Sequence, residues 1–565
     1  MAASPHVTAA NKYARGVVSG KIVACKSIKQ AANRYLNDLK KSKRRDYPFI
    51  FDKDLAEDAC WFIELLPHTK GEWARRKELI KLEPCQAFLV VNIFGWINKK
   101  TKLRRFREVY YQVARKNAKS VLAAAIGLYC FCADYEYGAE VYSGATSEKQ
   151  AWEIFKPARL MCKRSPDLME HYGVEVNASN IAIPEEGAKF EPIIGNPGDG
   201  ASPSCALIDE YHEHKNADLY DTMDTGMGAR AQPLKLITTT AGKSFAGPCY
   251  DKSQEAKKVL AGVLDIPTLL VVIYECDEDV DWKSIKALKQ ANPMMGVSVN
   301  SDYLKNQQFL AVKNAARTNT FLTKHLNRWV GSDTAYFNMA YWLKCADKKL
   351  KIEDFEGEEC VYSLDLASKL DICAWLTAFK RGIDGQDHYY FFCRFYIPEE
   401  TVANLVHNKD SYGKWINEGL LLETEGAEID FQNLKEEITL DKGRYQVSEI
   451  AYDPWRATHL AHQLAADGAE VVEVPQNRRY LSEPMKELNA AIMSGRAHHD
   501  GNAVLAWMFS NVCGSYDDRE NVMPKKDKAA QENKIDGAVA AIVAVSRLMS
   551  PTVSADVDTS YMESA

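Results

Sequence analysis

Several groups of residues in this chain have the types and spacing to handle phosphate. One is Ala114-Arg115-Lys116-Asn117-Ala118-Lys119-Ser120, between the apolar stretches "FREVYYQVA" and "VLAAAIGLYCF". A helix N-terminus offers free N–H groups and a positive dipole to an anion. Lys119 there could reach the β/γ-phosphates of a nucleotide, and Ser120 could hold Mg²⁺. The usual loop reads G-x-x-x-x-G-K-[ST], and here Val113 and Ala118 stand at the glycine positions. Alanine is the smallest substitute, so backbone approach is impaired least at Ala118. Arg115 and Lys116 add charge beside the phosphates, and Asn117 lies between them and Ala118. Taken alone, a basic surface turn is the alternative.

The second group is "CALIDEYH" (205–212), an apolar strand ending in acids. Asp209 would bind Mg²⁺ and Glu210 would orient and deprotonate an attacking water. The third is "LITTTAG" (236–242), where Thr238, Thr239, Thr240 and Gly242 could sense the γ-phosphate and relay hydrolysis. Arg230 is a candidate arginine finger for a neighbouring subunit, with a plain surface arginine as the alternative. Gln86, in "LEPCQAFLV", could read an adenine edge. "HEH" (212–214) reads as a solvated helix start.

A separate set of carboxylates suits two-metal phosphodiester cleavage, which needs several acids converging on ions about 3.5–4 Å apart. Asp365 lies in "VYSLDLAS", Asp453 ends "EIAYDPW", and Asp536 opens the small-residue helix "KIDGAVAAIVAV". Each alone reads as a cap or turn residue. Their order, first strand, later strand, final helix, is the ribonuclease H-like order. Asp371, His499 and Asp500 are weaker additions, and His499-Asp500 reads equally as a turn.

Residues 1–45 carry apolar residues at helix spacing, and Tyr47 to Trp73 reads as a second helical region. From about residue 87, strands and helices alternate, which predicts a parallel sheet in an α/β domain. The expected division is a helical N-terminal region (1–60), an ATPase domain (61–252), a linker or lid subdomain (253–350), a second α/β domain with early antiparallel strands (351–550), and a polar, disordered tail (551–565).

The chain of 565 residues has 46% hydrophobic and 26% charged residues and a net charge of −6. That excludes a globally basic, histone-like coat for nucleic acid and leaves local basic surfaces at 40–45, 98–105 and 525–528, with solvated loops as the alternative. Fourteen cysteines without a CxxC pair are expected as reduced core thiols. The longest apolar run, Val121 to Ala133, is too short to span a bilayer at about 20 residues. A soluble, intracellular protein is expected.

With these residues identified, the chain resembles the large terminase subunit of tailed bacteriophages and prophages, in the branch linked to HK97-type phages. The likeness runs through "YARGVVSGKIVACKSIKQAANRYLNDL", "QAFLVVNIFGW", "YSGATSEKQAWEIFKPARLM", "QANPMMGVSV", "LNRWV", "YDPWRA" and "KIDGAVAAI". In that family the phosphate loop carries an arginine and often lacks the standard glycines. The resemblance implies that Arg115 matches this arginine and that Asp209-Glu210 are the metal-binding and catalytic acids. It also implies that Thr238 to Gly242 are the coupling motif and Asp365, Asp453 and Asp536 the nuclease acids. The implied fold is a RecA-like P-loop ATPase domain with a parallel sheet, followed by a ribonuclease H-like nuclease domain. The implied cofactors are ATP and Mg²⁺, with Mn²⁺ as an alternative at the nuclease site. The implied partners are double-stranded DNA, a small terminase subunit and the portal protein of the procapsid. A homo-oligomer ring would assemble on that portal, in the host bacterial cytoplasm. Two rivals are a helicase-type DNA-dependent ATPase without nuclease activity and an inactive prophage remnant that scaffolds portal assembly.

Overall fold

The computed structural model describes residues 4–194, 200–245, 247–330, 336–366, 372–404, 409–517, 519–526 and 533–550. Asp371, the end of the basic segment 525–528 (Asp527 and Lys528) and the tail 551–565 lie outside the described residues. The chain divides into two compact units, 1–333 and 334–565.

The first unit is built on an eight-stranded sheet. In chain order its strands are β1 (Glu108–Gln112), β2 (Glu140–Ala145), β3 (Glu175–Val176), β4 (Ile181–Ile183), β5 (Ala188–Ile194), β6 (Cys205–Asp209), β7 (Leu234–Thr239) and β8 (Leu269–Ile273). Their spatial order is β8-β1-β7-β6-β2-β5-β4-β3. All neighbours from β8 to β5 pair in parallel, and β4 and β3 are antiparallel. β6, β7 and β8 are buried along their whole length, as a parallel sheet covered on both faces requires. This is the α/β architecture the alternation predicts.

Helices α1 (Pro5–Val18) and α2 (Lys26–Lys41) are present in the N-terminal region. They belong to this unit: Arg34 donates to the carbonyls of Leu269 (2.7 Å) and Ile266 (3.1 Å). The stretch 47–73 holds one substantial helix, Lys53–Glu64, and a short one, Gly71–Arg75. Phe49–Phe51 is instead a strand, paired with Trp96–Asn98. Helix α3 (Pro84–Gly95) is almost wholly buried, and α4 (Lys119–Cys132) follows β1 through the phosphate-loop candidate. The basic segment 98–105 is not a continuous charged surface. Arg104 is buried against Asp134, and Arg105 is buried against Asp38 at 2.8 Å. The stretch 253–333 lies in this unit, supplying edge strand β8 and helices α5 (Ile285–Ala291) and α6 (Ala315–Leu326).

The second unit carries a seven-stranded sheet: β9 (Glu359–Asp365), β10 (Cys373–Ile383), β11 (Gln386–Pro398), β12 (Leu422–Thr424), β13 (Gln446–Tyr452), β14 (Val471–Glu473) and β15 (Ala497–His499). The order is β12-β11-β10-β9-β13-β14, with β15 beside β11. β9, β10 and β11 are antiparallel in sequence, as "HYYFFCRFYIP" and its neighbours predict, while β13 returns parallel to β9. Helix α7 (Asp536–Leu548) is buried from Asp536 to Val545. All fourteen cysteines are unpaired, and all but Cys132 are buried. Among the described residues no helix is long and apolar enough to cross a membrane.

Candidate active sites

β1, β7 and β6 are adjacent and parallel, so their C-terminal ends share one edge. Asp209 pairs in register with Thr238, and Gln112 with Thr239. The segment 113–118 leaves this edge and turns into α4. Lys116 (φ 71°) and Ala118 (φ 60°) are both left-handed. This costs a residue with a Cβ about 1–2 kcal/mol, which is why glycine is usual there. The loop nevertheless places Lys119 Nζ 2.6 Å from Glu210 Oε1, and the Ser120 hydroxyl donates to Asp209 Oδ2 at 3.0 Å.

Asp209 accepts two further hydrogen bonds at Oδ1, from Thr238 Oγ1 at 2.6 Å and from the Glu210 amide at 2.9 Å. Burial raises the Asp209 carboxyl pKa, against the opposing pull of Lys119. Glu210, left-handed at φ 47°, resists ionisation through burial. Lys119 and then His212 outweigh that and hold its pKa below the usual carboxylate range. The Ser120 hydroxyl and Asp209 carboxylate are hard oxygen donors 3.0 Å apart, a set that fits Mg²⁺.

The "HEH" segment is not a solvated helix start. His212 has a side chain only 3% exposed, with Nδ1 3.3 Å from Glu210 Oε2. Its backbone N–H donates to Thr239 Oγ1 at 3.1 Å, its ring lies 3.1 Å from the same oxygen, and Thr240 Oγ1 is 3.3 Å from Nε2. His214 is buried, and burial pushes its pKa down to about 4. A Cβ at Gly242 would stand 2.9 Å from the Trp329 ring and 3.2 Å from His212 Cβ, so that turn must be glycine to close on the histidine. The sequence signal was present: a histidine two residues past a strand-end Asp-Glu, opposite a run of threonines.

Two other expectations land elsewhere. Arg230 precedes β7 and so lies at the opposite edge of the sheet. It is tied within its own subunit to the carbonyls of Ser202 (2.8 Å) and Gly138 (3.1 Å) and to Glu140 (3.3 Å). These contacts engage the Arg230 guanidinium within its own chain. Gln86 is buried and accepts from the Glu83 amide at 3.1 Å, closing a capping box at the start of α3.

In the second unit, β9 and β13 pair in parallel up to Leu364 opposite Tyr452. Asp365 and Asp453 are the next residues on each, so two adjacent strands deliver their acids side by side. Asp365 pairs across β10 with Ala374, which pairs with Phe395 on β11. A Cβ at Gly537 would stand 2.7 Å from the Phe395 ring. The first turn of α7, with Asp536 at its start, is therefore pressed onto that same row of the sheet. Burial, then Asp536, raises the Asp365 carboxyl pKa well above the usual range; a hydrogen bond from Gln476 lowers it and Asp453 raises it further.

Among the described residues no three His, Cys, Asp or Glu side chains form a ready-made metal cage. The three aspartates make an open set of hard oxygen donors. That chemistry fits Mg²⁺, which keeps several waters and takes few protein ligands. His499 does not belong with them. It is buried and stacked on Trp342, its Nε2 lies 3.0 Å from Trp342 O, and its Nδ1 accepts from Gly501 N at 3.1 Å.

Residues 84–258 match the family model described as terminase large subunit, ATPase domain, and residues 265–551 match terminase large subunit, endonuclease domain. The chain is 46% identical over 358 residues to Protein YmfN of Escherichia coli (strain K12), covering 62% of this chain and 79% of that protein. It is 24% identical over 441 residues to the large terminase subunit of Enterobacteria phage HK97, covering 77% of this chain and 85% of that one. The crystal structure of the HK97 bacteriophage large terminase is similar at 23% identity and a TM-score of 0.44, covering 87% of this chain and 99% of that chain. With a nucleotide-type loop facing Asp-Glu in one unit and strand-end acids in the other, both domains matched, this chain belongs to the large terminase subunits, enzymes with an ATPase and an endonuclease domain.

Proposed function

We propose that this subunit is the ATP-driven motor that packages viral DNA and the nuclease that cuts the DNA concatemer. The observation that carries the motor half is the pair of contacts joining the loop to the strand end: Lys119 to Glu210 at 2.6 Å and Ser120 to Asp209 at 3.0 Å. Without nucleotide, Lys119 and Glu210 neutralise each other. A triphosphate at the N-terminus of α4 draws Lys119 to its β/γ-phosphates and frees Glu210 to take a proton from water. Arg115, Lys116 and the amides from Asn117 to Ser120 hold the phosphates. Thr238, Thr239, Thr240 and Gly242 carry the state of the γ-phosphate into β7 and the chain beyond it.

In the second unit, Asp365, Asp453 and Asp536 position the DNA phosphate and the attacking water. Mg²⁺ bound at each site would neutralise developing phosphate charge and activate water, and Mn²⁺ can substitute at the nuclease site. The partners are double-stranded DNA, a small terminase subunit and the portal protein of a procapsid, on which a ring of this chain assembles in the host bacterial cytoplasm. DNA is held mainly through phosphates, so binding weakens steeply with salt and depends little on sequence.

The test is DNA-stimulated ATP turnover and plasmid cutting by the full chain in Mg²⁺, before and after chelation. Both activities are expected to vanish with EDTA and return with Mg²⁺. ATP turnover that survives chelation overturns the reading.

A further inference from the structure

We propose that Asn292 is a positioning residue for the phosphate loop, and that the segment 292–298 does from outside what glycines do from within. The inference rests on the reading of 114–120 as an ATP loop. Lys116 and Ala118 are left-handed although neither is glycine. Between them Asn117 is 1% exposed and fully engaged. Its Nδ2 donates to Ala114 O at 3.0 Å and to Asn292 Oδ1 at 2.9 Å, and its Oδ1 accepts from Met294 N at 3.1 Å. One residue back, Ser298 Oγ donates to Lys116 O at 2.7 Å. On the other side, Arg115 N donates to Lys324 O at 3.0 Å.

The brace is itself anchored. Asn292, 2% exposed, donates to His325 O at 2.8 Å and Leu288 O at 3.0 Å. The loop is thus clasped by side-chain and backbone groups from the segment after α5 and from the end of α6. A loop with glycines populates left-handed conformations freely. This one relies on a clamp, and the clamp belongs to the region carboxyl-terminal to the ATPase sheet.

The experiment measures KM and kcat for ATP in full-length Asn292→Ala and Ser298→Ala, each made in the wild-type loop and in a Lys116→Gly/Ala118→Gly loop. Ser298 is exposed enough that its truncation leaves the fold in place if Asn292→Ala does not. In the wild-type loop each substitution is expected to raise KM at least fivefold with kcat held within about twofold. In the glycine loop the rise is expected to fall below twofold. Equal penalties in both loops, or no change in KM, overturn the proposal.

Hydrogen exchange at amides 116–119, read without nucleotide, separates this from the ATP reading. Exchange at least tenfold faster in both variants, with β1 unchanged, supports the brace. Unchanged exchange overturns it whatever ATP does. If wild type turns over no ATP while both variants show the faster exchange, the ATP reading falls and the brace stands.

Discussion

Replacing Glu210 by Gln should separate chemistry from binding in opposite directions. The Glu210 carboxylate lies 2.6 Å from Lys119 Nζ, with side chains 22% and 9% exposed. A hydrogen bond to a charged group contributes about 1.5–3 kcal/mol, and a neutral one about 0.5–1.5 kcal/mol. Nucleotide must break this bond to recruit Lys119. Glutamine keeps the shape and a neutral acceptor, so it lowers that cost by about 1 kcal/mol, roughly a fivefold tightening of ATP binding. It also removes the base, and positioned proton transfer contributes about 10²–10⁴-fold to rate. The expected result is kcat down by about two to four orders of magnitude with ATP bound severalfold more tightly. Phosphate release reads the first quantity and calorimetric titration the second. A kcat within threefold of wild type refutes the base assignment. Loss of binding together with kcat shows instead that Glu210 holds the loop together.

Gly537→Ala places a Cβ 2.7 Å from the Phe395 ring. Overpacking of this kind costs about 1–3 kcal/mol and should push Asp536 off the aspartate row, lowering plasmid cutting at least tenfold while ATP turnover stays within twofold. Acid should weaken the second unit through His499. Burial lowers its pKa to about 4 against about 6.5 in the unfolded chain, so the unfolded state binds the extra proton. Stability is then full above about pH 6.5 and is lost as pH falls toward 4. Between pH 7 and 5 the loss is about 2 kcal/mol. Denaturation of wild type and His499→Phe at the two pH values checks this: the variant should lose that slope, and equal slopes contradict it.

Much of the fold was legible because it is local. The apolar strands ending at Asp209, Thr239, Asp365 and Tyr452 announce themselves by composition, and the Gly-Ala face of α7 announces close packing. What the sequence hid is long-range. The surroundings of His212 are long-range, with Thr239 and Thr240 brought against it from later in the chain. Asn117 and Asn292 are 175 residues apart, so no local pattern shows that one amide replaces a glycine. Arg230 looked free because its acceptors are mostly backbone carbonyls, which no side-chain pattern reveals. The stretch 253–350 reads as a linker or lid from its local pattern, because β8 is an edge strand separated in sequence from its partner β1 by much of the unit.

The proposed function requires two separate metal-dependent sites on one chain, one for a triphosphate and one for DNA. Assaying plasmid cleavage and ATP turnover on the same preparations of wild type and Asp365→Ala tests it most directly. Cutting is expected to disappear while ATP turnover is unchanged within twofold. Cutting that persists in Asp365→Ala, or ATP turnover that falls with it, would rule out two separate sites.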